Sequence, residues 1–329
     1  MSDLLVGALA VLLAMNLTAA PGNPVVPTTG TTASVPGTND PVEQELQKLL
    51  VADDAAQEAA EKLIAEADQP PDPLLAPTQL TLRARLDEKF KPVREGYEDF
   101  IQRHPKHARG WMAYASFLHD TGNEKDAIDR YEKARELDPK DPAAWNNLAN
   151  IYAHIGPVEK AFPYYDEAIR LKPDEPLYLH NFGTLVFLFR KDATNYFKCD
   201  EQEVFARALA LYDRALKLDP KNFPLASDVA QTYYGIKPPS TKTPEEARAA
   251  ELHLADQALA SWTNAFSIAG DGVEREGVFL HFARWNIRVG RFAEARTNLT
   301  SVTNTMYLQV KQRLERNLAE KDPVATAKP

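Results

Sequence analysis

The chain has 329 residues, and its 38 Lys and Arg against 47 Asp and Glu leave a net charge of −9, a balance that argues against a nucleic-acid partner, whose affinity comes from clustered cations. Glycine is scarce at 14 residues and proline abundant at 24, which speaks against a turn-rich all-β fold and puts the prolines at helix ends or in linkers. Cys199 is the only cysteine, so an intrachain disulfide and an all-cysteine zinc site are both excluded.

Residues 1–20 stand apart. The run 4–20 is apolar and small, broken only by Asn16 and Thr18. Thr18-Ala19-Ala20 has the small-x-small form of a signal cleavage site. Against this, the leader carries Asp3 and no Lys or Arg, and Pro21 would follow the cut. A short uncleaved anchor is the second reading, near the lower limit of roughly 17 residues for a span. An apolar helix docked on protein is the third. Export or anchoring is expected, which places the chain in the periplasm or cell envelope, with membrane association through residues 4–20.

Residues 21–41 form a Pro/Thr/Gly linker with almost no charge, which cannot bury a core and is expected to be disordered. Residues 42–69 read as one amphipathic helix, with Pro41 at its start and Glu43 and Glu45 in its first turn. Its apolar stripe has heptad-like spacing, interrupted by Asp53. The stripe either packs on its own domain or mediates self-association and a homo-oligomer, and packing is the commoner use of a single stripe. Pro70, Pro71, Pro73 and Pro77 then break the chain.

From residue 80 onward the pattern is helical and periodic. Trp111 and Trp145 are 34 residues apart, and the same offset links Leu118 with Tyr152, Gly122 with Gly156, Ala127 with Ala161, Tyr131 with Tyr165, Ala134 with Ala168 and Pro139 with Pro173. Small residues at Ala115, Ala127 and Ala134 let paired helices approach closely. Gly122 and Gly156 end first helices, and Pro139 and Pro173 stop second helices.

Trp111, Ala115, Leu118, Gly122, Ala127, Tyr131, Ala134 and Pro139, with their counterparts from Trp145 to Pro173, resemble the tetratricopeptide repeat, a 34-residue helix-turn-helix. The resemblance spans residues 80–320. Repeats 108–141 and 142–175 are the clearest. Divergent repeats follow at 176–222, 223–275 and 276–302, with a terminal helix at 304–320. About thirteen extra residues enter around 191–203, and about sixteen in the fourth repeat, against that period. Thr243-Pro244-Glu245-Glu246 is a strong helix start. Val93, Tyr97, Phe100 and Pro105 look like the second helix of a degenerate repeat.

The resemblance implies an all-α, right-handed solenoid whose concave face, lined by first helices, binds a peptide or partner protein. Mapped onto this chain, the lining comprises Met112, Ser116 and His119 in the first clear repeat, and Asn146, Asn150 and His154 in the second. The later repeats contribute His180, Asn181, Thr184 and Phe187, then Gln231 and Tyr234, then Arg284 and Arg288. Asn150 and Asn181 stand where family members use asparagines to hold a peptide backbone, a task suited to an amide's paired donor and acceptor. The middle of this lining is neutral, with formal positive charge only at its ends.

Enzyme signatures are absent. Cys199 has no His and Asn/Asp partners at recognisable spacing. His104 and His107 bracket a turn without further metal ligands, and no Gly-rich phosphate loop is present. The expected function is therefore a non-catalytic interaction scaffold with no cofactor and no metal, the alternative being a membrane-anchored or periplasmic assembly factor that self-associates through its N-terminal helix.

Overall fold

The computed structural model describes residues 39–67 and 79–322. The apolar run 4–20 and nearly all of the linker lie outside the described residues, as do the prolines from Pro70 to Pro77. Among the described residues the regular structure is entirely helical, and no helix is long and apolar enough to cross a membrane. The architecture is a tetratricopeptide-type succession of helix pairs. By internal contacts it divides between residues 172 and 173 into two compact units.

The first unit contains α1 (Pro41–Ala67), α2 (Gln79–Arg103), α3 (Ala108–Asp120), α4 (Glu124–Leu137), α5 (Pro142–Ile155), a short 3-10 turn at Val158–Lys160, and α6 (Ala161–Leu171). The pairs are α1 with α2, α3 with α4 and α5 with α6. Trp111 and Trp145 repeat one bond: each indole donates to the carbonyl six residues back, Pro105 and Pro139, at 3.0 Å. This ties each first helix to the turn before it. His107 and Asp141 cap α3 and α5 by accepting from Gly110 N and Ala143 N. Gly122 and Gly156 have φ of 78° and 70°, where a Cβ would be strained.

The stripe of α1 is occupied within the chain. Leu46, Ala56 and Ala60 are buried, and Gly96 of α2 lets α1 in so closely that a Cβ there would lie 2.7 Å from Leu49. Asp53, which interrupts the heptad seam, accepts from the Tyr97 hydroxyl at 2.9 Å. At the helix start Glu43 pairs with Arg109 and, at 3.0 Å, with His107, while Glu45 pairs with Arg103. So α1 serves as the first helix of a divergent repeat whose second helix is α2.

The second unit contains α7 (Pro176–Leu188), α8 (Arg190–Phe197), α9 (Glu201–Leu218), α10 (Phe223–Thr232), α11 (Pro244–Ile268), α12 (Gly272–Val289), α13 (Phe292–Thr300), a 3-10 turn at Thr305–Tyr307 and α14 (Leu308–Lys321). The pairs are α7 with α9, α10 with α11 and α12 with α13. Much of the first insertion is itself a packed helix. Ala193 of α8 is fully buried, and Phe197 lies 6.1 Å from Phe182 under the Arg207 guanidinium. After the second insertion, α11 opens on a complete capping box between Thr243 and Glu246. Leu314 and Leu318 of α14 close the last pair against Leu299 and Val302. The terminal helix starts later than the sequence suggests, because Asn304 caps the 3-10 turn, which leaves Met306 exposed.

Candidate functional site

One contact organises the face that the first helices present. Tyr97, Tyr131 and Tyr165 recur every 34 residues on second helices, and their rings are buried. A buried hydroxyl needs a partner, and each finds one on the first helix of its own repeat. Tyr97 donates to Asp53, Ser116 bonds the Tyr131 hydroxyl, and Tyr165 donates to Asn150 Oδ1 at 2.5 Å. In the second unit Tyr212 donates to Thr184 at 3.1 Å. Ser116, Asn150 and Thr184 are themselves 34 residues apart in sequence, so within each unit the second helices fix a polar position on the first helix that they pair with. The fourth repeat breaks this rule by placing Trp262 where the tyrosine stands.

In the first unit the face combines these polar positions with titratable groups. Burial, partly offset by the bonds from Tyr97 and Gln57, pushes the Asp53 carboxyl up to about 6. Asp120 is solvent-exposed but crowded, and desolvation with the charge of Asp53 pushes it up to about 7. Because water still screens Asp120, its consequence for stability is smaller than its shift. Burial, then the charge of His154, pushes His119 down to about 4, so it is neutral, and its Nδ1 has no hydrogen-bond partner. His154 Nδ1 meets Glu124 at 2.5 Å.

Two expected lining residues do not reach this surface. Met112 is 3% exposed and Asn146 fully buried. Asn146 donates to Asn147 at 3.1 Å, and the Asn147 amide reaches the Tyr131 hydroxyl and, at 3.9 Å, the Met112 sulfur. These side chains form a polar seam between α3 and α5, where a side chain facing a partner was expected. The amide of Asn150 is likewise less open than the resemblance implies, because Oδ1 already accepts from Tyr165.

In the second unit His180 Nε2 meets Asp228 at 2.7 Å, and Gln231 reaches the other oxygen of that carboxylate at 3.5 Å. Phe187 packs 6.0 Å from Phe205. Asn181 and Thr184 are half-buried on the same helix. At the far end Tyr234, just after α10, stacks on Trp285 of α12 at 5.0 Å and 15°. Its hydroxyl lies 3.0 Å from His281 Nδ1, and His281 in turn stacks on Trp262 at 3.8 Å. Arg284 lies beside Tyr234, 5.4 Å from the ring centroid, and hydrogen-bonds its hydroxyl. Arg288 lies over Trp285 at 4.7 Å and pairs with Glu251 of α11 at 2.5 Å. Burial and then Arg284 push His281 down to about 3, so its ring is neutral.

Asp53, Asp120 and His281 belong to these faces, with Trp262 and Trp285 buried beneath the last of them, although the residues alone did not single them out. The available signals were the 34-residue step from Tyr131 back to Tyr97 and the Ala258-Trp262-Ala265 echo of Ala127-Tyr131-Ala134. His104 and His107 prove to be partners of Glu45 and Glu43. Among the described residues no three His, Cys, Asp or Glu side chains are grouped to hold a metal ion.

Residues 94–142 and 120–176 match the family model described as the tetratricopeptide repeat. No curated protein matches the chain. Among solved structures, YrrB, described as a TPR protein with an unusual peptide-binding site, is similar with a TM-score of 0.50 at 15% identity, over 68% of this chain and 99% of that one. PilW, described as a widely conserved type IV pilus biogenesis factor, is similar with a TM-score of 0.50 at 16% identity, over 72% and 96%. At these identities the likeness is one of fold.

Proposed function

The chain is a tetratricopeptide repeat protein, and from that premise we propose that it is a non-catalytic scaffold holding a peptide or partner protein against its first-helix faces. The observation that carries this reading is the pair of polar side chains Ser116 and Asn150 on the first helices of the first unit, set one repeat apart by the buried tyrosines Tyr131 and Tyr165 on its second helices. Such a pair suits an extended peptide, whose backbone offers donors and acceptors at regular intervals. In the second unit the half-exposed Tyr234 and Arg284 offer an aromatic and a cationic contact to the same class of partner. The test is capture from a lysate of the native host. Asn150→Ala, Asn181→Ala and Tyr234→Ala together should release partners that the wild type and the outer-helix variant Lys217→Ala retain. Full retention by the triple variant would reject the reading.

A second reading draws on the apolar run 4–20: an exported or membrane-anchored envelope factor that self-associates through α1. Against self-association, the α1 stripe is already buried against its own chain, leaving Val51 as the large apolar side chain exposed on that helix. Fractionation and light scattering of the full chain decide it. A membrane-bound oligomer supports this reading, and a soluble monomer removes it.

A further inference from the structure

Two sets of contacts hold α1 on the first unit, and they answer acid in opposite ways. At its middle, Asp53 stands in the interface with α2, where it accepts from the Tyr97 hydroxyl at 2.9 Å and from the Gln57 amide at 3.3 Å. Both donors are neutral, and among the described residues no cation lies within ion-pair distance of this carboxyl. The charged groups that act on the Asp53–Tyr97 pair are all acidic: Asp54 on α1 itself and Asp120 on α3. Asp120 is the last residue of α3, where the helix dipole also disfavours negative charge. An ionised carboxylate is costly in such a setting.

Near its start, α1 is held by charge. Glu43 pairs with Arg109 and, at 3.0 Å, with His107. Glu45 pairs with Arg103 and, at 3.5 Å, with His104. The bond from Arg103 holds the Glu45 carboxyl below its ordinary value. An imidazole adds charge to these pairs only when protonated, and strong acid removes them by neutralising the glutamates. Both sets act on one continuous helix, Pro41–Ala67, with Leu46 buried along it.

We propose that α1 is a pH-governed cap on the first unit, clasped in mild acid and released more readily at neutral pH, because Asp53 has to lose its proton inside the α1–α2 interface. Docked, the carboxyl keeps its proton up to about 6, whereas in water it ionises near 4. This group leaves docking undiminished below about pH 4, weakens it as pH rises to about 6, and keeps it weak above. Departure of α1 also relieves Asp120 of a like charge, which acts in the same direction. In stronger acid the glutamate pairs give way, so docking passes through a maximum at about pH 4. Lifting α1 uncovers Gly96 and Tyr97 on α2 and leaves α3 paired with α4 and α5 with α6. Terminal elements of a repeat array open locally in this way, because each contacts only its neighbours.

Hydrogen exchange of the full-length chain, corrected for the intrinsic rate at each pH, tests the cap. Protection of α1 should fall by roughly thirtyfold between about pH 4.5 and about pH 7.5, the ratio for a carboxyl that ionises near 4 in water and about 6 when docked. Protection of α6, in the same unit, should change by about threefold or less, because local openings are independent of one another. Asp53→Asn, which still accepts from Tyr97, should remove most of the fall and keep the circular dichroism of the wild type. Glu43→Gln with Glu45→Gln should lower α1 protection in mild acid and leave the fall toward neutral pH in place. Equal α1 protection at the two pH values overturns the proposal, as does an undiminished fall in Asp53→Asn. An equal fall in α6 also overturns it, because the unit would then open as a whole and shed no cap.

Discussion

The first unit and the fourth repeat, in the second unit, treat the same structural position in opposite ways. In the first unit, the buried tyrosines Tyr97, Tyr131 and Tyr165 each find a first-helix partner, and polar residues of the face are committed to the fold. In the second unit, Tyr212 keeps this rule with Thr184, but Trp262 takes the next place with its indole nitrogen unpaired. Where the rule holds, a polar groove residue has a structural reason to exist. Where it breaks, the tyrosine's polar contact is replaced by the stacking of Trp262 on His281.

The largest effect that would sharpen this contrast comes from Trp262→Ala. The side chain is 2% exposed and stacked on His281, so the cavity should cost about 3–5 kcal/mol in urea unfolding. Trp262→Phe should cost much less, because the indole nitrogen makes no bond to lose. If Trp262→Phe costs as much as the alanine change, an unseen partner holds that nitrogen and the contrast fails.

A smaller loss is expected at Gly183 on α7. A Cβ there would lie 2.7 Å from the Tyr212 ring. Gly183→Ala should force the ring away from Thr184 and cost about 1–3 kcal/mol as overpacking. A neutral change would mean that the tyrosine rule is not tightly held in the second unit.

The smallest effect is a gain with a pH signature. Asp53 has its carboxyl raised from near 4 to about 6, so folding favours its protonated form. Its penalty is absent below the unfolded value, grows as pH rises through the window between about 4 and 6, and is complete at neutral pH. Asp53→Asn, still able to accept from Tyr97, should stabilise the first unit by about 1–2 kcal/mol at pH 7 and by almost nothing at pH 4. His281 runs the other way. Its value is lowered to about 3, so its unfolded form binds the proton first, and stability rises with pH between about 3 and 6.5. Hydrogen exchange on α1 and α12 across that range should show the two slopes with opposite signs.

The repeat was legible because its signals are local and periodic: the 34-residue step, the positive-φ glycines and the prolines at helix ends. The role of α1 was half legible. Its stripe was visible, but choosing between a second copy and its own domain required Tyr97 to be seen reaching Asp53 across the stretch that separates α1 from α2. Met112 and Asn146 were misplaced because family positions specify a helix face and say nothing of how far the neighbouring helix covers it. Here Asn147 draws both inward. The aromatic cluster around Tyr234 was hidden for a different reason. Trp262, Tyr234, His281 and Arg284 lie on three separate stretches, and only the long α11 brings the first of them under the last two.

The most direct test of the central claim is site-specific photocrosslinking in the native host. A benzoylphenylalanine placed at Ser227 or Gln231 on the first-helix face should yield a discrete partner adduct. The same probe at Asp213 or Lys217, on the exposed side of α9, should yield none. Equal adducts from both sets, or adducts from α9 alone, would contradict the account.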